Sequence, residues 1–121
     1  MKISCFEDIE SWREARQLVR DVYSLLTSCR DYGFRDQMQR AAISVMTNIA
    51  EGFDRGGNKE FIQFLIIARG SVSEVKSLAY AARDLSYIDD VSMKRLLERC
   101  TLLGNLINGF IRYLRSTERK R

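Results

Sequence analysis

The chain contains neither proline nor histidine among its 121 residues. Without proline it lacks the residue that most strongly breaks a helix, so long uninterrupted helices are favoured. The absence of histidine excludes catalytic triads that use a histidine base, and three cysteines alone are too few for a structural zinc site. Carboxylate–histidine di-metal sites of helical bundles are excluded for the same reason. We therefore expect no metal, no cofactor, no catalytic residue and no enzymatic activity.

Cysteines and long apolar runs are also scarce. Cys5, Cys29 and Cys100 are far apart and odd in number, which is typical of free thiols in a reducing cytoplasm. The longest uncharged stretches reach only about ten residues, too few to span a bilayer. The N-terminus runs into charged residues without a signal-peptide pattern. We expect a soluble cytoplasmic protein with no membrane partner.

Apolar residues recur at helical spacing along the whole chain. A chain of this length forms one domain with one core. The pattern predicts four helices and a frayed basic tail, at about residues 5–29, 34–53, 59–86, 91–116 and 117–121. Short connections between helices favour antiparallel neighbours. The predicted fold is all-α, an antiparallel up-and-down four-helix bundle.

Residues typical of caps and turns define these boundaries. Ser4 and Glu7 fit a capping box that starts the first helix near residue 5. Gly33 is expected in the turn that ends this helix, and Asn58 is expected to be the N-cap of the third helix. Asp89 and Asp90 are expected to cap the fourth helix.

The net charge is +4, with 15 arginines against 5 lysines. Arginine binds phosphate through two parallel hydrogen bonds, so this bias favours an anionic partner. The candidate nucleic-acid-binding residues fall into one group on the first helix and one at the C-terminus: Arg13, Arg16, Arg20; Arg112, Arg115, Arg119, Lys120, Arg121. The alternative is an ordinary solvated face, because acidic residues lie near both groups.

Apolar residues also lie outside the main stripes. A bundle of short helices needs one apolar stripe per helix, so the surplus indicates a second buried surface, most simply between copies of the chain. The candidate interface residues are Ile43, Met46, Ile62, Ile66, Ile67 and Leu102. We therefore expect a homo-oligomer.

The most distinctive segment runs from Ser44 to Glu74. Its ordered motif residues are Asn48, Glu51, Gly52, Arg55, Glu60, Phe61, Arg69, Gly70, Ser71 and Glu74. Glu51 and Arg55 are one helical turn apart and are expected to pair. We expect Asn48 and Ser71 to join them in one polar network that fixes the helix pairing. Gly70, in mid-helix, is expected to have a packing reason, because glycine costs about 1 kcal/mol there relative to alanine.

With Phe6-Glu7-Asp8, Trp12 and Ala41-Ala42, this ordered set resembles the small bundle proteins encoded in intervening sequences of bacterial 23S ribosomal RNA genes. The resemblance implies a four-helix bundle that assembles as a ring, typically a homopentamer. Related proteins include the accessory variability determinant of diversity-generating retroelements, which works with a reverse transcriptase and RNA. The family commonly has a proline where this chain has Met46, so its second helix is expected to run straighter. The resemblance carries over no catalytic residue.

Two functions follow as hypotheses. The first is a non-enzymatic, ring-forming bundle that binds nucleic acid, structured RNA above all, through arginine–phosphate contacts. A ring would concentrate each basic group around its axis and strengthen the local field. The alternative is a protein–protein interaction scaffold in which the arginines only keep the protein soluble.

Overall fold

Four helices make up most of the computed structural model, which describes residues 3–119. A short 3-10 turn, Phe6–Asp8, precedes them. The helices are α1, Glu10–Leu25; α2, Tyr32–Asp54; α3, Asn58–Asp84; and α4, Asp90–Arg119. No strand occurs between residues 3 and 119, and the predicted all-α fold with four helices is confirmed.

The helices stand at the corners of a square. α1 packs against α2 and α4, and α3 packs against the same two helices. Within residues 3–119 the diagonal pairs do not pack against each other. Contacts between α3 and α4 join low numbers to high ones, as in Arg69–Asn108 and Lys76–Thr101. These two helices are therefore antiparallel, as an up-and-down bundle requires.

One continuous apolar core fills the space between the helices. Each helix contributes a stripe at the spacing of 3.6 residues per turn. The largest fully buried side chains on the helices are Leu18, Val22, Met38, Val45, Ile49, Leu65, Val75, Leu96, Leu103 and Ile107. α2 continues through Met46 to Asp54 without interruption.

Two aspartates set the starts of α2 and α4. The Asp31 carboxylate accepts the N–H of Phe34 at 3.2 Å, and the Asp89 carboxylate accepts the N–H of Ser92 at 2.8 Å. Because Asp31 caps α2, the helix already includes Gly33. The prediction that Gly33 is a turn residue is therefore wrong, since a capping carboxylate two residues earlier starts the helix.

The starts of α1 and α3 also differ from expectation. The capping box predicted for Ser4 and Glu7 does not form. The residue before the 3-10 turn is Cys5, and its side chain makes no capping hydrogen bond to that turn. α1 begins only at Glu10. Asn58 is the first residue of α3 rather than its N-cap, and its amide donates to the carbonyl of Leu114 at 3.3 Å. A contact with α4 replaces the local cap in this case.

Candidate nucleic-acid interface

Basic side chains line the groove where α3 packs against α4. Arg69 donates to the amide oxygen of Asn108 at 2.9 Å, and the Lys76 ammonium lies 3.5 Å from the hydroxyl of Thr101. These contacts mark the α4-facing side of α3 and the α3-facing side of α4. Arg112 and Arg115 follow Asn108 by four and seven residues and therefore share its side. We call Arg69, Lys76, Arg112 and Arg115 the α3–α4 basic face.

The cations of this face are not neutralised locally. Among side chains of residues 3–117, none of its four members takes part in an ion pair. By contrast, Arg83 and Lys94 at the other end of the same groove share the carboxylate of Asp90, at 3.1 Å and 3.9 Å. Positive charge is therefore concentrated towards the C-terminal half of α4.

The amide of Asn108 gives the basic face a second kind of donor. Its oxygen accepts from Arg69, and its N–H₂ group makes no hydrogen bond found among the described residues. Asn105 and Thr101 lie on the same side of α4, one and two turns earlier. Cations with interspersed amides and hydroxyls are the groups that contact phosphate and sugar oxygens in nucleic-acid complexes.

The predicted helix-one group lies elsewhere. Arg13, Arg16 and Arg20 are exposed on α1. The α4-facing side of α1 is marked by Glu14 and Asp21, which bind Arg99 of α4 at 2.6 Å and 2.8 Å. The arginines lie about 100–160° around the helix axis from Glu14, so the two predicted basic groups do not form one surface.

The C-terminal group is only partly described. Arg112 and Arg115 are exposed on α4. The side chain of Arg119, with Lys120 and Arg121, lies outside the described residues. Arg69 and Lys76, by contrast, were not predicted as partners of this group. Arg69 and Lys76 are seven residues, or two helical turns, apart, and this spacing is the sequence signal that places both on one side of α3.

The motif residues hold α2 against α3. The hydroxyls of Ser44 and Ser71 lie 2.9 Å apart across the two helices, and the Asn48 amide donates to the Ser44 hydroxyl at 3.0 Å and to its carbonyl at 2.8 Å. Glu51 and Arg55 form a separate pair at 3.3 Å. The single network predicted for these residues is therefore wrong, because it divides into a hydroxyl–amide cluster and an ion pair.

Other charged motif residues have partners that sequence spacing could not reveal. The Glu74 carboxylate accepts from Gln37 of α2 at 3.4 Å, whereas Arg69 binds α4. Glu60 lies exposed in the first turn of α3, where the helix dipole favours a carboxylate. Arg55 lies over the ring of Phe64, with its guanidinium carbon 5.1 Å from the ring centroid.

Two motif glycines behave in opposite ways. A Cβ on Gly52 would lie 2.6 Å from the Cβ of Phe64 and 2.9 Å from a ring carbon of Phe61, so α2 and α3 approach closely there. A Cβ on Gly70 would meet nothing within 4 Å. We expected Gly70 to allow a neighbouring helix to approach closely. This expectation is wrong for contacts within a single chain, because no other atom lies near the position of its Cβ.

The six candidate interface residues separate into different environments. Ile62 is only 7% exposed and belongs to the core, so its assignment to a surface is wrong. Because α3 starts beside the end of α4, that position is covered within the bundle. Met46 is half-buried against the core. The four exposed members lie on three helices: Ile43 on α2, Ile66 and Ile67 on α3, and Leu102 on α4.

No cluster of potential metal ligands occurs in the described part of the chain. From residue 3 to residue 117, no group of three or more Cys, Asp or Glu side chains is placed to hold a metal ion. None of the described helices combines the length and apolar character that a membrane-spanning segment needs. The site with the clearest chemical character is therefore the α3–α4 basic face.

Comparison with known proteins gives similar solved structures and one family. The crystal structure of a Bacteroides thetaiotaomicron protein of unknown function, from the S23 ribosomal protein family, is 21% identical, with a TM-score of 0.73. The match covers 84% of this chain and 94% of that one, and it shows that the two share a fold. No curated protein matches this chain. Residues 7–109 match the model of the 23S rRNA-intervening sequence proteins, and the chain belongs to that family.

Proposed function

We propose that this protein is a non-enzymatic bundle that binds nucleic acid, specifically structured RNA, through contacts between the α3–α4 basic face and phosphates. The observation that carries the proposal is the placement of four exposed cations on one side of the α3–α4 pair, none of which forms an ion pair among residues 3–117. Arginine and lysine that have no local carboxylate remain available to displace counterions from a phosphate backbone.

The dimensions of the face suit a backbone ligand. From the level of Thr101, beside Lys76, to Arg115 the face extends fourteen residues along α4, which is about 21 Å at 1.5 Å per residue. Its cations, amides and hydroxyls can all contact sugar and phosphate oxygens, and such contacts carry no direct sequence information. We therefore expect weak sequence specificity and a steep dependence of affinity on salt.

Structured RNA is favoured over a flexible single strand. Proteins that bind single strands interleave several aromatic side chains with cations. Beside the α3–α4 basic face, Tyr80 lines the surface pocket that holds Lys76 and Thr101, and no cation of the face stacks on a ring within residues 3–117. The name of the family also refers to sequences within ribosomal RNA genes. Both points support a folded RNA as the ligand.

A salt titration of binding tests this proposal. In one variant, Arg69→Gln, Lys76→Gln, Arg112→Gln and Arg115→Gln remove the four charges and keep part of each side-chain stem. A matched control replaces four exposed cations elsewhere, Arg30, Arg40, Lys59 and Arg95, by glutamine. Affinity for duplex DNA changes with salt by a log–log slope of about 0.9 per phosphate contacted.

We expect the slope of the face variant to fall by several contacts, and that of the control to change much less. Equal slopes for the wild type and the face variant would remove the α3–α4 basic face from consideration. In that case nucleic-acid binding would have to lie elsewhere or be absent.

We also propose that the chain assembles with copies of itself, as a ring, and resides in the cytoplasm. Exposed aliphatic side chains on α3, Ile66 and Ile67, support association, because contact with another copy would remove their apolar surface from water. The free thiols of Cys29 and Cys100, both buried, are consistent with a reducing compartment. Particle mass in solution tests the assembly.

A protein-interaction scaffold is the second candidate function. The outer surface of α3 supports it, since Ile66, Gly70 and Ser73 form an exposed row without charge. The absorbance at 260 nm of protein purified without nuclease separates the two functions. Co-purified nucleic acid favours the first, and its absence from protein that is purified at low salt favours the scaffold.

A further inference from the structure

A second group of cations lies on α1, away from the α3–α4 basic face. We call Arg13, Arg16 and Arg20 the α1 basic ridge. Arg13 donates to the carbonyl of Glu7 at 3.0 Å, and the guanidinium carbon of Arg16 lies 5.9 Å from the ring centroid of Trp12. No side chain between residues 3 and 117 forms an ion pair with a member of this ridge. All three arginines of the ridge are exposed.

The ridge faces away from α4. Glu14 marks the α4-facing side of α1 through its bond with Arg99. Arg16 follows Glu14 by two residues, or about 160° around the helix axis, which turns it towards α2. Because α1 and α2 occupy one side of the square and α3 and α4 the other, the ridge and the α3–α4 basic face lie on opposite sides of the bundle.

The thickness of the bundle prevents one short duplex from using both surfaces. Two packed helices with their side chains span roughly 20–24 Å, since each is about 10–12 Å across. A duplex of about 20 base pairs is far shorter than the persistence length of about 150 base pairs, so bending it around the protein to reach both surfaces would cost several kcal/mol. Each surface therefore has to engage a separate duplex segment.

We propose that one chain holds two nucleic-acid segments at once, one on the α3–α4 basic face and one on the α1 basic ridge, and so bridges duplexes. This inference rests on the proposed function, because it assumes that phosphate contacts are the mode of binding. It adds a second site and an activity, the bringing together of two helical segments. Opposed basic surfaces separated by an uncharged core are the arrangement that such an activity needs.

Energy transfer between duplexes tests the inference. Two RNA duplexes of about 20 base pairs, one with a donor dye and one with an acceptor, are mixed with the full chain. For the wild type we expect energy transfer to rise with protein concentration. It should then decline at excess protein, because each duplex is bound by a separate protein molecule. The ridge variant carries Arg13→Gln, Arg16→Gln and Arg20→Gln. It should still bind a single duplex, and at equal particle mass it should give less transfer than the wild type.

A matched control replaces Arg40, Lys59 and Arg95 by glutamine, which removes the same charge from other exposed positions. It should bridge as the wild type does. Particle mass is measured for all three proteins, because an oligomer in which each copy uses only the α3–α4 basic face would also bridge. Undiminished transfer by the ridge variant at unchanged mass would overturn the inference.

The two proposals fail in distinguishable ways. A wild type that binds one duplex tightly but gives no transfer overturns the bridging inference and leaves the proposed function intact. A wild type that binds neither duplex at low salt overturns the proposed function, and the bridging inference with it.

Discussion

The hydroxyl of Tyr87 donates a hydrogen bond of 2.6 Å to the carboxylate of Asp31, which joins the α3–α4 loop to the α1–α2 loop. The ring of Tyr87 also packs edge-on against Phe34 in the first turn of α2, with centroids 5.2 Å apart. Because Asp31 caps α2 as well, one carboxylate serves both a helix start and a contact between loops. This end of the bundle is therefore sensitive to pH.

Stability should depend on this pair at both extremes of pH. The bond raises the pKa of Tyr87 to about 12, and the hydroxyl of Tyr87 with the N–H of Phe34 lowers the pKa of Asp31. The contribution of Tyr87 is fully present below its unfolded pKa of about 10 and is lost as pH rises through about 12. That of Asp31 is present above its ordinary value of 3.8 and is lost as pH falls below it.

Tyr87→Phe should remove the alkaline loss and weaken the acidic one. Denaturant unfolding near pH 3, 7, 10 and 12 measures the effect, with wild type in parallel. If the variant lost as much stability as the wild type between about pH 10 and 12, the assignment of the alkaline transition to Tyr87 would be contradicted.

The two motif glycines should respond to alanine with opposite signs. Gly52→Ala places a Cβ 2.6 Å from the Cβ of Phe64 and should destabilise the bundle by about 1–3 kcal/mol through overpacking. Gly70→Ala fills open space in a helix interior and should stabilise the chain by about 1 kcal/mol. Urea unfolding of both variants at one protein concentration checks this, and a destabilised Gly70→Ala variant would show that something covers that position.

Thiol reactivity should distinguish the three cysteines. Burial raises the pKa of Cys100 to about 11, and Cys29 is also buried, whereas Cys5 is exposed. The bond from the Cys5 thiol to Asp8 raises the pKa of Cys5, so its thiolate is disfavoured. A thiol reagent at about pH 8 should label Cys5 alone in the folded protein, and faster after Asp8→Asn. Labelling of two thiols before unfolding would contradict the burial of the others.

Self-association should depend on the aliphatic side chains of α3. Ile66→Asp with Ile67→Asp places charges on the exposed surface of that helix and should reduce particle mass to that of the 14.1 kDa chain. Val91→Asp is a matched control, because Val91 is an exposed aliphatic residue at the start of α4. If the particle mass of the α3 variant were unchanged, the contact between copies would have to involve Ile43 or Leu102 instead.

Sequence periodicity was sufficient to predict the fold, because the apolar stripes of all four helices pack together in one core. Local signals failed where another interaction, distant or nearby in sequence, competed with them. Asn58 has the chemistry of an N-cap, yet its amide binds Leu114, 56 residues away. Gly33 resembles a turn residue, yet the carboxylate of Asp31 starts the helix before it.

The candidate site was predictable only in part. Arg112 and Arg115 could be found as a basic row, because they share one helix. Arg69 could not be added to them, since its alignment with Asn108 depends on the register between α3 and α4. The burial of Ile62 could not be predicted from the sequence, since it depends on how the end of α4 covers the start of α3.

The central claim is that the α3–α4 basic face binds the nucleic-acid backbone. The most direct test is a binding titration of the full chain against ribosomal RNA and duplex DNA at low and physiological salt, with particle mass measured on the same sample. We predict tight binding at low salt by an oligomeric particle, with affinity that falls steeply with salt and with loss of Arg69, Lys76, Arg112 and Arg115. An assembled protein that binds neither ligand even at low salt would contradict the account.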